Sequence, residues 1–210
     1  MTETNHSHPA FTLCGGHPAL DFVNSLDGRF GAHEPLERLT GYGDLVSFTA
    51  QTRLIDARHA RRLRQAAPAA AARALRSAQE LREALATALY ARLDGRAVAP
   101  TAMHTLERHF HRAGRHRELR WEGGTERRGS ALRWEWGRHD CDPELPVWLL
   151  AQSAAELLMS EQLDRVRACG AETCRWLFLD TSRNHTRRWC DMKVCGNRMK
   201  ARRFHERHEA

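Results

Sequence analysis

The 210-residue chain is long enough for one large domain or two small ones, and its 41% hydrophobic and 28% charged residues make a globular balance. No apolar run approaches the roughly 18–20 residues of a membrane span, and the polar first residues lack the basic and apolar regions of a secretion signal, so a cytoplasmic protein with no membrane partner is expected. Residues 165–210 hold 12 of the 33 Lys and Arg against 5 of the 26 acids, which accounts for the whole net charge of +7 and points to an anionic partner at that end.

In chain order, Phe11–Leu26 opens on an apolar stretch, breaks at Gly15, Gly16 and Pro18, and resumes with Leu20, Phe22, Val23 and Leu26 at helix-like spacing. After a glycine-bearing loop, residues 44–54 suit an amphipathic helix with Asp44 near its start. Residues 56–65 and 68–93 read as two more helices, the second rich in Ala with Leu75, Leu81, Leu85, Leu89 and Leu93 as its stripe. A further helix is expected from Pro100 to His111. The period then changes: Glu118-Leu-Arg-Trp-Glu and Ala131-Leu-Arg-Trp-Glu-Trp alternate apolar and polar around a glycine-bearing loop, which predicts a β-hairpin. Residues 143–159 return to helix.

Four of the six cysteines form Cys169-x4-Cys174-x15-Cys190-x4-Cys195. Two short-spaced pairs can supply the four thiolates that zinc takes at tetrahedral corners. Two disulfides or four unrelated thiols are the alternatives on spacing alone, and disulfides are disfavoured in a reducing compartment. Cys14 and Cys141 match no pair and read as small core hydrophobes.

Cys169-Gly-Ala-Glu-Thr-Cys174-Arg-Trp-Leu-Phe-Leu-Asp180-Thr-Ser-Arg183-Asn184, followed by Arg187-Arg188-Trp189-Cys190-Asp-Met-Lys-Val-Cys195-Gly196-Asn197-Arg198, resembles the CGNR zinc-finger family. The segment Gly-Gly-His-Pro-Ala-Leu-Asp-Phe-Val-Asn within residues 11–26 resembles the opening of the ABATE domain that accompanies that finger. The resemblance implies a bacterial transcription regulator linked to stress, with one zinc ion on Cys169, Cys174, Cys190 and Cys195 and a finger that binds DNA.

A closed four-thiolate site leaves zinc no open position for activating water, so the metal is expected to be structural. Trp176–Leu179 reads as a strand that buries the finger's core, Asp180–Asn184 as a turn or a helix start capped by Asp or Ser, and Gly196 as a residue with positive φ. The residues after Cys195 should form a basic helix with Arg198, Arg202 and His205 on one face, flanked by Lys200, Arg203 and Arg207. With Arg183, Arg187 and Arg188 between the ligand pairs, these cations are the candidate contacts to duplex DNA. Arg198 has two readings, bracing the finger or touching DNA.

The 13 histidines form no metalloprotease pattern and read as surface residues. There is no glycine-rich phosphate loop and no serine nucleophile elbow, so an enzyme is not expected. His17 and Asp21 read as a turn and cap, the alternative being the lining of a pocket in the N-terminal domain. Trp121, Trp134 and Trp136 could be core or the wall of a ligand site.

The expected fold is α+β and mainly α: a helical ABATE-like domain with a β-hairpin over residues 1–160, then a zinc-finger domain over residues 161–210 with a basic C-terminal helix. The expected function is a zinc-dependent, DNA-binding transcription regulator whose N-terminal domain senses a small-molecule effector or mediates assembly, a homodimer being open. The alternative is a protein adaptor, or a binder of single-stranded RNA, with a purely structural finger.

Overall fold

A computed structural model describes residues 10–31, 33–122, 131–136 and 141–208, with the side chains of Glu122, Ala131, Arg203 and residues 205–208 outside that description. The architecture is mainly helical with small antiparallel strand pairs, in agreement with the sequence.

The first helix, α1 (Pro18–Asn24), is short because proline opens it and its polar end is already engaged elsewhere. His17 caps it, its Nδ1 accepting from the Ala19 N–H at 3.2 Å. Leu20, Phe22 and Val23 are fully buried, so these two turns sit in the core of the molecule. Each such side chain stabilises the fold by about 1.5–3 kcal/mol through burial. Two residues, β1 (Leu26–Asp27), then pair antiparallel with β2 (Leu36–Glu37).

Helix α2 (Tyr42–Gln51) begins two residues earlier than expected because Asp44 reaches back: its Oδ2 accepts from the Gly41 N–H at 2.9 Å and the Thr40 hydroxyl at 2.7 Å. Asp56 caps α3 (Ala57–Leu63) through the His59 N–H at 2.8 Å. Helices α4 (Pro68–Leu93) and α5 (Pro100–Gly114) both start on proline. After the hairpin of β3 (Glu118–Glu122) and β4 (Ala131–Glu135) comes α6 (Leu145–Leu158). Helix α5 packs on α4 and on α6, and α1 lies against α4, α6 and a strand of the finger.

Two readings are overturned, and the open one on the hairpin tryptophans is decided residue by residue. Cys141 is exposed, with Arg62 Nη1 donating to its sulfur at 3.7 Å, so it is no core hydrophobe. His109 is buried on α5, 3.7 Å from a Glu80 carboxylate oxygen, and burial holds its imidazole below the usual value. Trp121 and Trp134 are exposed, whereas Trp136 stacks on Trp148 at 6.3 Å and borders a cavity of about 420 Å³ with Leu54, Leu145 and Leu149. The register Leu119↔Trp134 and Trp121↔Leu132 puts four exposed apolar side chains on one face of the hairpin.

Sequence periodicity did not reveal Arg82, which is buried on α4. Its guanidinium donates to both Glu37 carboxylate oxygens at 2.7 and 2.6 Å, to Glu83 at 2.9 Å and to the Ser25 hydroxyl at 3.1 Å. This bidentate pairing ties β2 and the end of α1 to α4, which compensates the charge for its loss of water.

Candidate metal centre

A 3-10 turn (Glu161–Arg165) leads into β5 (Val166–Ala168), which pairs antiparallel with β6 (Leu177–Leu179). All three residues of β6 are buried, but they serve two cores. Leu177 and Leu179 join the helical core, while Phe178 on the opposite face joins Cys169, Cys190, Cys195 and Met199. The strand therefore does not simply bury the finger's own core, as the apolar run suggested.

The first ligand pair flanks a tight turn. The Cys174 N–H donates to the Ala171 carbonyl at 2.9 Å, and Arg175 takes a left-handed φ of 50° to leave it. Gly170 sits against the second pair's loop: its N–H donates to the Arg188 carbonyl at 2.8 Å, and a Cβ there would lie 3.3 Å from that oxygen and 3.2 Å from the Trp189 ring. Asp180 holds the intervening turn, accepting from the Ser182 N–H at 2.9 Å, the Ser182 hydroxyl at 2.6 Å and the Arg187 N–H at 3.0 Å. These bonds, led by the Ser182 hydroxyl, keep its carboxyl below the usual range.

The second pair closes on a π-helical turn (Met192–Gly196), capped by Asp191, whose carboxylate accepts from the Lys193 and Val194 N–H groups at 2.6 and 3.1 Å. Helix α7 (Asn197–His208) follows directly, so the basic helix is an extension of the ligand turn. Gly196 does not have the positive φ expected of it. The nearest atoms a Cβ there would meet all belong to the side chain of Met192, which is exposed and can turn away.

The turns bring the four sulfurs of Cys169, Cys174, Cys190 and Cys195 within 4.8 Å of one another. Cys174 Sγ lies 3.6 Å from Cys190 Sγ, which lies 3.7 Å from Cys195 Sγ. A tetrahedron with Zn–S bonds of about 2.3 Å has edges of about 3.8 Å, so the spacing suits one zinc ion. Backbone N–H groups of Ala171 and Cys190 point at Cys169 Sγ, and that of Trp176 at Cys174 Sγ. Hydrogen bonds from Cys174 and then Cys190 pull the Cys169 thiol far below its ordinary value, while the bond to Cys169 pushes the Cys174 thiol up and burial raises that of Cys195, so four thiolates this close together need a cation to neutralise them. Bound there, zinc would cross-link the two turns; with four protein ligands it has no open position.

The candidate nucleic-acid residues separate by placement. Arg187 turns inward: Nε donates to the Trp189 carbonyl at 2.9 Å, Nη2 to the Cys190 carbonyl, and the guanidinium stacks 4.4 Å over the Phe178 ring. The bracing of carbonyls that the sequence left open for Arg198 is thus carried by Arg187. Arg183, Arg188, Arg198 and Lys200 are exposed, and Arg188 lies over the Trp189 ring at 5.4 Å. Arg202 is exposed and reaches Glu172 at 3.5 Å. Arg203 and Arg207 belong to α7, but their side chains lie outside the described residues. Buried Met199 anchors the helix to the finger.

The finger is fastened to the helical body by polar contacts as well. Trp176 Nε1 donates to Asp27 at 2.8 Å, the Tyr90 hydroxyl to the Arg175 carbonyl at 2.9 Å, and the Leu179 N–H to the Gly15 carbonyl at 2.7 Å. Between the two parts runs a cleft of about 470 Å³, bordered by Arg38, Asp27, Trp176, Cys174, Cys195 and Arg198.

Comparison with known families agrees with this architecture. A family model described as "Putative stress-induced transcription regulator", ABATE, matches residues 16–161, and the CGNR zinc finger matches residues 165–208. A search of curated proteins finds no match. The chain belongs to the ABATE family and carries the CGNR zinc finger at its C-terminal end.

Proposed function

We propose that this chain is a DNA-binding transcription regulator in which the outer surface of the zinc finger docks on duplex DNA. The observation that carries the reading is the placement of Arg183, Arg188, Arg198 and Lys200, all exposed on a scaffold that four cysteines hold together, within the segment that bears the whole net charge. Exposed cations on a rigid frame release counterions when they meet phosphates, which is the main sequence-independent source of DNA affinity. The Arg202–Glu172 pair is an exposed contact of small energy that a phosphate can replace.

The N-terminal domain supplies the regulatory input. A ligand lodged in the cleft would touch Arg38 of the helical domain and Arg198 at the start of α7 together. The exposed apolar face of Leu119, Trp121, Leu132 and Trp134 favours a second reading, in which that domain docks a protein partner or another copy of the chain.

Fluorescence anisotropy of the full-length, zinc-loaded chain on a duplex tests the proposal. With four to six cations on phosphates, log affinity should fall with log salt at a slope of roughly −4 to −5. Replacing Arg183 and Arg188 together by Ala should reduce the slope by up to about two units with zinc retained. Absence of salt-sensitive duplex binding at low ionic strength would overturn the DNA reading in favour of the adaptor, and a preference for single-stranded RNA would move it to the stacking mode.

A further inference from the structure

The zinc ligands account for four cysteines, and exposed Cys141 stands on the far contact of Arg62. Cys14 remains. It precedes α1 in the chain, yet its half-buried side chain packs on the finger's core, the cluster that holds Cys190. The Cys14 residue is held there. Arg187 Nη2, which donates to the Cys190 carbonyl, also reaches the Cys14 carbonyl at 3.4 Å, so one guanidinium bridges the two backbones. On the other flank, Gly15 is fixed by its N–H to Asp21 at 2.7 Å and by its carbonyl to the Leu179 N–H. Cys14 nonetheless stands outside the group of four sulfurs that lie within 4.8 Å of one another, so it is a free thiol beside the metal ligands.

We propose that Cys14 is an oxidation site of the metal centre, where a peroxide drives formation of a Cys14–Cys190 disulfide that removes one zinc ligand. The chemistry balances in two steps. The Cys14 sulfur attacks the peroxide, its O–O bond breaks, and a sulfenic acid and one water (or alcohol) result. The Cys190 sulfur, brought in as a thiolate, then attacks the Cys14 sulfur and hydroxide departs, leaving the disulfide and three thiolates around the metal. The peroxide is reduced by two electrons and the two sulfurs are oxidised by one each. A three-thiolate site no longer closes the tetrahedron, and the second turn, with α7 behind it, loses its anchor. This inference rests on the zinc site and not on what the finger binds.

The test uses the full-length, zinc-loaded chain with Cys141→Ser to silence the exposed thiol. Hydrogen peroxide is added, released zinc is followed with a chromogenic chelator, and disulfides are mapped by mass spectrometry after alkylation. A Cys14–Cys190 disulfide should appear in step with the loss of zinc, and reductant with added zinc should restore the site. Cys14→Ser, or Cys14→Ala if serine lowers zinc content, should retain zinc under the same exposure. Zinc release at an unchanged rate in these variants, or disulfides confined to the pairs Cys174–Cys190 and Cys190–Cys195, would overturn the proposal. The mapping in the parent chain decides this even if neither variant folds.

Discussion

Asn24 and Leu177 hydrogen-bond to each other twice, although 153 residues separate them. The Asn24 Nδ2 donates to the Leu177 carbonyl at 2.9 Å, and the Leu177 N–H donates to Asn24 Oδ1 at 2.8 Å. The side-chain amide copies the peptide of a missing neighbouring strand and satisfies the free edge of β6.

Asn24→Ala removes both partners of a buried peptide, each unsatisfied group costing about 1–3 kcal/mol. The variant should unfold at distinctly lower urea, and Asn24→Asp should also be destabilised because a carboxylate cannot donate to the carbonyl. Equilibrium denaturation with the zinc content held constant checks both. A midpoint unchanged in Asn24→Ala would mean the edge is satisfied some other way.

Arg187 and Arg188 are adjacent in sequence and opposite in role. Arg187→Ala should leave the Trp189 and Cys190 carbonyls without their donor and loosen the second ligand pair, so zinc is lost to a competing chelator faster than from the native chain. Arg188→Ala should keep its zinc, since its charged end sits over the Trp189 ring at the surface. Chelator competition on the two variants side by side gives the contrast, and equal rates would contradict it.

Asp21 makes stability depend on pH. Burial pushes its carboxyl up to about 6, against the pull of the Gly15 and Cys14 N–H groups. An unfolded Asp titrates near 3.9, so the folded state holds the proton more tightly; the stability present below about pH 4 is lost as pH rises through about 6, in all about 3 kcal/mol. Asp21→Asn still offers an oxygen to Gly15 and cannot ionise. Its advantage over the native chain in urea denaturation should grow from pH 4 to pH 6 and then level off, and parallel curves would refute the assignment.

Two glycines of the finger should respond oppositely to alanine. Gly170→Ala forces a Cβ against the Arg188 carbonyl and the Trp189 ring and should lower stability by about 1–3 kcal/mol. Gly196→Ala first meets the movable Met192 and should cost less than about 1 kcal/mol with zinc retained. Thermal unfolding of both variants, each with measured zinc, orders them.

What was legible in the sequence was what repeats or pairs locally. The stripe of Leu81, Leu85 and Leu89 identifies α4 to the residue, and the equal spacing of the cysteine pairs identifies the metal ligands. The hairpin follows from a period of two. Contacts between distant segments leave no such trace. Val166–Ala168 is too short to show a period, and its partner lies across the first ligand turn. Buried Arg82 looks like any surface cation of an amphipathic helix until Glu37 closes on it. Cys14 reads as an isolated hydrophobe because its neighbour, Cys190, lies at the other end of the chain. Arg187 and Arg188 are chemically the same letter, and only the path of the loop sends one in and one out.

The alternation along β6 also governs how a disturbance travels. With Phe178 in one core and Leu177 and Leu179 in the other, the strand cannot creep: a slip of one residue would exchange every tenant of both interiors at once. Small displacements along β6 are therefore resisted, and any shift of the finger against the helical body through this strand would be all or none rather than graded.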